Sequence, residues 1–258
     1  MILIAILAGT LVAGIGSVWL AAALSFGVLA RYTQHMLSLA AGALMGTAFL
    51  HLLPEAFESQ LGAQQLFLAL LVGLVFFFLL DKAELWHHGH EHHHDEVHQP
   101  HHDHAHQHSA GNWAVLTGDS VHCFGDGILI ASAFMADLRL GAIAAIAVLA
   151  HEVPHHMGDL MVLRQSSSNR QAALLKVSLA GAVTALGGVV GYWLVEQLRA
   201  YLPYFLVVAS SSFVYVALAD LIPQLQKRLS LRETLSQIAW LLMGIGLVTL
   251  VSTLVHGR

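Results

Sequence analysis

Charge is scarce in this chain. Of its 258 residues, 10% are Asp, Glu, Lys or Arg, where a soluble globular domain carries about 25%. Hydrophobic residues make up 57% of the sequence, and mean hydropathy is +0.68. The shortage of charge excludes an ordinary cytosolic enzyme, a disordered chain and a nucleic-acid binder with a basic face. Cysteine is nearly absent too: Cys123 stands alone, so no intramolecular disulfide can form. A basic leader is also missing. Residues 1–26 carry no charge, and the run exceeds the apolar core of about 7–15 residues that a signal peptide has. It reads as a retained membrane helix.

What the chain does have is histidine. There are 19, against 11 Lys and Arg together. The formal net charge of −5 counts them as neutral, so the true charge depends on pH and on bound metal.

A membrane-spanning helix needs about 20 mostly apolar residues. Eight segments qualify, at 2–26, 36–57, 64–81, 113–135, 140–163, 171–198, 203–222 and 235–254. The expected fold is therefore an all-α, polytopic membrane protein of eight helices in a single domain, 1–258. Basic residues favour the cytoplasmic side. With the N-terminus outside, the cytoplasmic side carries Arg31, Lys82, Arg164, Arg170, Lys176, Lys227, Arg228 and Arg232. The outer side keeps only Arg139, Arg199 and Arg258. Both termini are thus expected outside.

The connection between helices 3 and 4, residues 82–112, is then cytoplasmic. Its segment 87–108 reads HHGHEHHHDEVHQPHHDHAHQH, with twelve histidines and no apolar period. Such a segment cannot pack a core. It reads as a disordered, imidazole-rich chelator; a tag or a spacer is the plainer alternative. A faint repeat is also present: FLHLLPEAF (49–57) resembles ALADLIPQL (217–225), with Pro54 matching Pro223.

Polar residues stand where lipid is expected. Helix 4 carries Asp119, His122 and Asp126; helix 5 carries His151, Glu152, His155, His156 and Asp159. A charged side chain at a helix centre costs roughly 2.5–3.5 kcal/mol to insert, so these must face one another, water or a bound cation. His122 with Asp126, His151 with His155, and Glu152 with His156 are i,i+4 pairs, each sharing a helix face. Imidazole and carboxylate together suit zinc and similar divalent metals; a buried hydrogen-bonded network is the alternative. Pro154 interrupts helix 5 and frees the carbonyl of Ala150. Gly125, Gly127 and Gly158 are expected to let other helices approach. His51 and Glu55 form another i,i+4 pair near the outer end, where they either capture cations or serve as interfacial polar residues. Met45 is either packing or a soft ligand, and Cys123 follows His122 on a different face. Both can ligate soft metals.

Residues 121–134, VHCFGDGILIASAF, and 151–159, HEVPHHMGD, resemble the ZIP family of divalent metal permeases. The similarity is closest to the subfamily whose fifth helix reads HExPHExGD and whose fourth reads HNxxDG. HLLPEA (51–56), the eight helices and the histidine-rich loop are similar to that group as well. The resemblance implies that His122, Asp126, His151 and His155 hold the transported metal. It places Glu152 in an adjacent second site, Cys123 where Asn is common, and Met45 near a helix-2 ligand position. His156 stands where the pattern has Glu, and helix 6 has no carboxylate before Glu196. One transport site is therefore the expectation. The resemblance also implies Zn²⁺ as the transported substrate, with Fe²⁺, Mn²⁺, Co²⁺ or Cd²⁺ sharing the path. It further implies alternating access and a homodimer in the plasma membrane, a bacterial inner membrane being the expected setting. The expected partners are divalent metal ions and the lipid bilayer, with no nucleic acid.

Two other functions compete. HEVPH matches the zincin motif HExxH, which implies an intramembrane metalloprotease, although Pro154 falls between the two histidines. A metal exporter of the cation diffusion facilitator kind uses similar pairs and loops, but with six helices and a soluble C-terminal domain.

Overall fold

The structure is a computed structural model and describes residues 1–25, 33–89, 107–166, 170–225 and 230–256. Most of the histidine-rich stretch, 90–106, lies outside them. The described residues are helical almost throughout. Helix α1 (Ile2–Leu11) passes through a π-turn at Val12–Gly16 into α2 (Ser17–Ser25). Helix α3 (Thr33–Thr47) does the same at Ala48–Leu52 before α4 (Leu53–Phe57). Then come α5 (Ala63–Gly89), α6 (Gln107–Ala136), α7 (Leu138–Ser166) and α8 (Arg170–Gln197). Helix α9 (Leu202–Tyr215) leads through a π-turn at Val216–Leu221 into α10 (Ile222–Leu225), and α11 (Leu231–His256) completes the described chain.

Six stretches among the described residues are long and apolar enough to cross a membrane: Ile2–Leu24, Gln34–Phe57, Ala63–Leu80, Arg170–Gln197, Arg199–Ala219 and Leu231–Thr253. Helices α6 and α7 have the length but are less apolar, because of their His and carboxylate side chains. They are the expected helices 4 and 5, and their shortfall is the polar cluster itself. Outward faces are apolar, as on α5 (Phe67, Leu71, Phe76) and α11 (Leu235, Ile238, Leu242). Water would not tolerate such continuous patches on a monomer; lipid would.

Helices α5 and α6 both extend into the segment expected as loop, reaching Gly89 and starting at Gln107. Two helix starts are capped by side chains. At α11 the run Ser230-Leu-Arg-Glu233 forms a capping box: Glu233 Oε2 accepts from the Ser230 amide at 2.8 Å, and the Glu233 amide donates to Ser230 Oγ at 3.4 Å. At α7 the carboxylate of Asp137 accepts from the amides of Arg139 (2.8 Å) and Leu140 (3.3 Å).

The repeat acquires a structural counterpart. Both copies carry a π-turn with their proline, Pro54 or Pro223, two residues beyond its end. Proline clashes with the carbonyl four residues back, here Leu50 or Ala219, and the wider turn relieves that clash. Pro154 has no such relief, and α7 runs through it as one helix.

Helix α6 lies along α8. A Cβ on Gly127 would meet backbone atoms of Thr184, Gly187 and Gly188, and one on Gly187 would meet the backbone of Phe124. Gly125 and Gly158 do not have the expected role: no described atom lies within 4 Å of a Cβ built on either. Two larger apolar cores result, with a small third one of Ala43, Ile143 and Val248. One gathers Leu129–Met135 and Leu140–Val148 with residues of α1, α3 and α9; the other gathers Leu116, Val153, Met157, Leu160 and Leu163 with α2 and α8. The polar cluster sits between them.

Candidate metal centre

Only Asp137 separates α6 from α7, so the two helices run antiparallel with a fixed register. Residues equally far from Asp137 come level with one another. His122 and Glu152 are each fifteen residues away, and Asp119 and His155 are each eighteen away. At 1.5 Å per residue these levels lie about 22 and 27 Å from the turn.

Three groups of metal-ligating side chains form at those levels among the described residues. The first is His122, Asp126, His151 and Glu152. His151 Nε2 lies 3.1 Å from Asp126 Oδ2 and 3.3 Å from Glu152 Oε1. His122 Nε2 lies 3.3 Å from the same Glu152 oxygen, 3.3 Å from His151 Nε2 and 3.8 Å from Asp126 Oδ2. A tetrahedral Zn²⁺ with bonds of about 2.0–2.2 Å sets its ligand atoms about 3.3–3.6 Å apart. The five separations above run from 3.1 to 3.8 Å, close to that spacing. His151 Nδ1 donates to the Ala147 carbonyl at 3.4 Å, which turns the Nε2 lone pair inward, the usual outer-shell device of a metal-binding histidine.

The second group is Asp119, Cys123, Glu152 and His156, all buried. His156 Nε2 is 3.0 Å from Glu152 Oε2 and 3.5 Å from Asp119 Oδ1. Cys123 Sγ lies 3.6, 3.8 and 3.9 Å from Asp119, Glu152 and His156. Proton accounting is informative here. The Ser17 hydroxyl donates to the Gly14 carbonyl at 2.6 Å. Its oxygen, 2.9 Å from His156 Nδ1, must therefore accept from that nitrogen. His156 Nε2 then presents a lone pair to two carboxylates unless a proton or a metal ion sits among them. Glu152 serves both groups, one through each oxygen.

The third group is Asp119, His155 and Asp159. His155 stands apart from the first tetrahedron, with which the sequence associated it. Its ring stacks on that of His122, centroids 5.3 Å apart and planes within 19°, and its Nε2 is 3.8 Å from Asp119 Oδ1.

The remaining sequence candidates fall elsewhere. Met45 is half-buried against the larger apolar core. His51 lies in a π-turn and joins no ligand group; Arg139 is near enough to act electrostatically on both it and Glu55. His35 is structural: it meets Trp240 edge-on and bonds Ser236 at 3.0 Å. Two members of the cluster were not among the expected ligands, although Asp119 was expected to face it. Asp119 belongs to two of the three groups, and its i,i+4 spacing to Cys123 was the available signal. Ser17 comes from a distant helix, and nothing in the sequence ties it to His156.

A bundle with six membrane-length apolar stretches, enclosing a buried His/carboxylate cluster, is an integral multi-pass membrane protein with a metal-type ligand set at its heart. The comparisons narrow that class. Residues 82–252 match the family model for the ZIP zinc transporter, and the chain belongs to that family. It is 29% identical to zinc transporter ZIP13 of Pongo abelii over 279 aligned positions, covering 96% of this chain and 78% of the relative. It is 32% identical to zinc transporter foi of Drosophila melanogaster over 67% of this chain, which is 24% of that relative. Human zinc transporter ZIP10 is 33% identical over 56% of the chain, 18% of the relative's length. The chain thus spans most of ZIP13 but about a quarter or less of the other two.

Proposed function

We propose that this chain carries Zn²⁺ into the cytoplasm by alternating access. The ion is held by His122, Asp126, His151 and Glu152, with Asp119, Cys123, Glu152 and His156 as an adjacent second position. The observation that carries the reading is the first group's tetrahedral spacing, 3.1–3.8 Å between ligand atoms. Membership of the ZIP family and the zinc transporters among the relatives support it. The same ligand types admit Fe²⁺, Mn²⁺, Co²⁺ and Cd²⁺.

In this reading α6 and α7 complete eight membrane helices, arranged as one transport domain with both termini outside. The protein resides in the plasma membrane as a homodimer, an assembly the family resemblance suggests. The histidine-rich loop within 82–112 faces the cytoplasm and receives or buffers the ion. Met45 and His51 have at most a peripheral part. A metalloprotease is disfavoured because His151 and His155 of HEVPH fall in different groups, so the two-histidine zinc clamp does not form. An exporter is disfavoured by the family.

The test is metal accumulation in cells expressing the chain. His122→Ala and Asp126→Ala should each abolish uptake with protein amount unchanged. Wild-type uptake in both variants would sink the assignment.

A further inference from the structure

Arg139 and Arg199 are the described arginines at the end of the bundle where α6 meets α7, the outer end in the reading above. Arg199 pairs with Glu196 at 3.4 Å, and both are exposed. Arg139 is placed differently. It lies in the first turn of α7, half-buried, with its Nε shielded from solvent. The Asp137 carboxylate accepts from its amide, so its backbone is fixed to the α6–α7 link. The α3–α4 helix stands opposite. Leu53 and Ala56 of α4 share an apolar core with Leu140 and Ala144 of α7, which brings the two helix ends level. Arg139 acts electrostatically on both His51 and Glu55, and Glu58 and Asp137 act on Glu55 as well. Three carboxylates and an imidazole thus gather near one guanidinium. His51 Nε2 is buried and has no hydrogen-bond partner among the described residues.

This charged contact crosses a boundary that the closest packing does not. Glycine brings α6 against α8, with Gly127 on Thr184 and Gly187 on Phe124, and Gly14 against Gly181. Glycine likewise brings α3 against α11, with Gly42 on Leu241 and Gly244 on Leu39. Among the described glycines, none joins α6 or α7 to α3, α4 or α9. Apolar side chains such as Ala43 and Ile143 meet there instead, and they can slip without breaking a hydrogen bond. The ligand groups belong to α6 and α7, whereas α3 and α4 supply no member. Between those groups and the Asp137 link, Ile130, Ala133, Phe134, Leu140 and Ala144 are all buried. An ion arriving at the outer end therefore has no route until α6 and α7 shift against α3 and α4, and that shift must part Arg139 from Glu55.

We propose that Arg139 is a latch on the outer mouth, a tethered cation that engages Glu55 beside His51 and must let go before a divalent ion enters. The proposal rests on the transport reading above. A guanidinium cannot lose its charge in a protein, so the latch is always a cation. While it is engaged, it offsets the repulsion among Glu55, Glu58 and Asp137. Once it is released, the same carboxylates are free to meet an arriving ion. Opening the mouth thus exchanges a tethered cation for a mobile one, and Arg139 sets how often the mouth opens.

The test is uptake of Zn²⁺ added outside cells that express the full chain, with surface labelling to establish that each variant reaches the membrane. Weakening the latch raises the share of chains open to the outside, and apparent affinity rises with that share. Arg139→Gln and Glu55→Gln should each lower KM about two- to fivefold, the range of a partly exposed ion pair. The double variant should lower it no further than either alone, and Arg139→Lys should keep the wild-type KM. The Glu55→Gln result decides the matter, because a carboxylate that merely attracts cations would raise KM when removed. A raised or unchanged KM in Glu55→Gln, or additive lowering in the double variant, overturns the latch. A wild-type chain that takes up no Zn²⁺ overturns the transport reading instead.

Discussion

Gly127→Ala adds one methyl group, removes no ligand, and should still stop transport. The new Cβ would sit 2.6 Å from the amide nitrogen of Gly188 and 2.9 Å from the carbonyl carbon of Gly187, with the Thr184 carbonyl closer still. Ordinary contact begins near 3.4 Å. Helix α6 must therefore retreat from α8 by at least about 0.8 Å, since backbone atoms cannot swing aside as a side chain does. Overpacking of this kind costs typically 1–3 kcal/mol, and backbone contact puts the figure at the upper end. The effect on the site is larger. Helix α6 supplies His122 and Asp126, α7 supplies His151 and Glu152, and a metal site tolerates about 0.2 Å. Even outer-shell changes cost about 10–100-fold in affinity, so this shift should cost at least that much. The assay is initial-rate zinc uptake in vesicles, with thermal unfolding of the purified chain alongside. Gly191→Ala, whose Cβ would lie 2.9 Å from Ala131 Cβ and Ile128 Cα, should fall between Gly127→Ala and wild type. Gly125→Ala and Gly158→Ala meet no described atom within 4 Å and should transport normally. Wild-type KM and rate in a folded Gly127→Ala chain would refute the reasoning.

Two further outcomes are expected. Ser17→Ala should raise KM roughly 10–100-fold, because His156 loses the acceptor that fixes its tautomer, yet should add almost nothing in a His156→Gln background; equal effects in both backgrounds would make Ser17 mere packing. Metal binding to imidazole displaces protons, so KM for zinc should rise as pH falls through the histidine range near 6.5, by up to tenfold per pH unit for each proton displaced; a KM flat from pH 7.5 to 5.5 would argue against imidazole ligands.

The fold was legible because lipid leaves a strong mark on sequence. Long apolar runs gave the helix spans, although the capping box that starts α11 at Leu231 was not read and that helix was expected only from 235. The π-turns were harder to see. Pro54 and Pro223 marked two of them, but the one at Val12–Gly16 has no proline and no sequence signal. Gly127 could not be told from Gly125 by composition, since close approach depends on what lies opposite. The i,i+4 rule correctly paired His122 with Asp126 and Glu152 with His156, but not His151 with His155. It joined His151 to His155 because they share a face of α7. The antiparallel register instead sets Asp126 and His122 against His151 and Glu152, and Asp119 against His155 and Asp159. That register was recoverable by counting outward from Asp137.

The cluster's charge explains why its geometry suits a carrier better than a fixed cofactor site. Four carboxylates (Asp119, Asp126, Glu152 and Asp159) meet four imidazoles in the three groups. An unpaired ionised carboxylate in an apolar interior costs several kcal/mol, so the cluster must always hold protons or metal ions. Loading a metal then means exchanging one positive charge for another rather than creating charge in the membrane. Protons on the imidazoles compete for the same lone pairs, which weakens metal binding and makes release feasible. The apolar cores on either side keep that exchange within the cluster, and the one-residue link at Asp137 keeps its two halves in register.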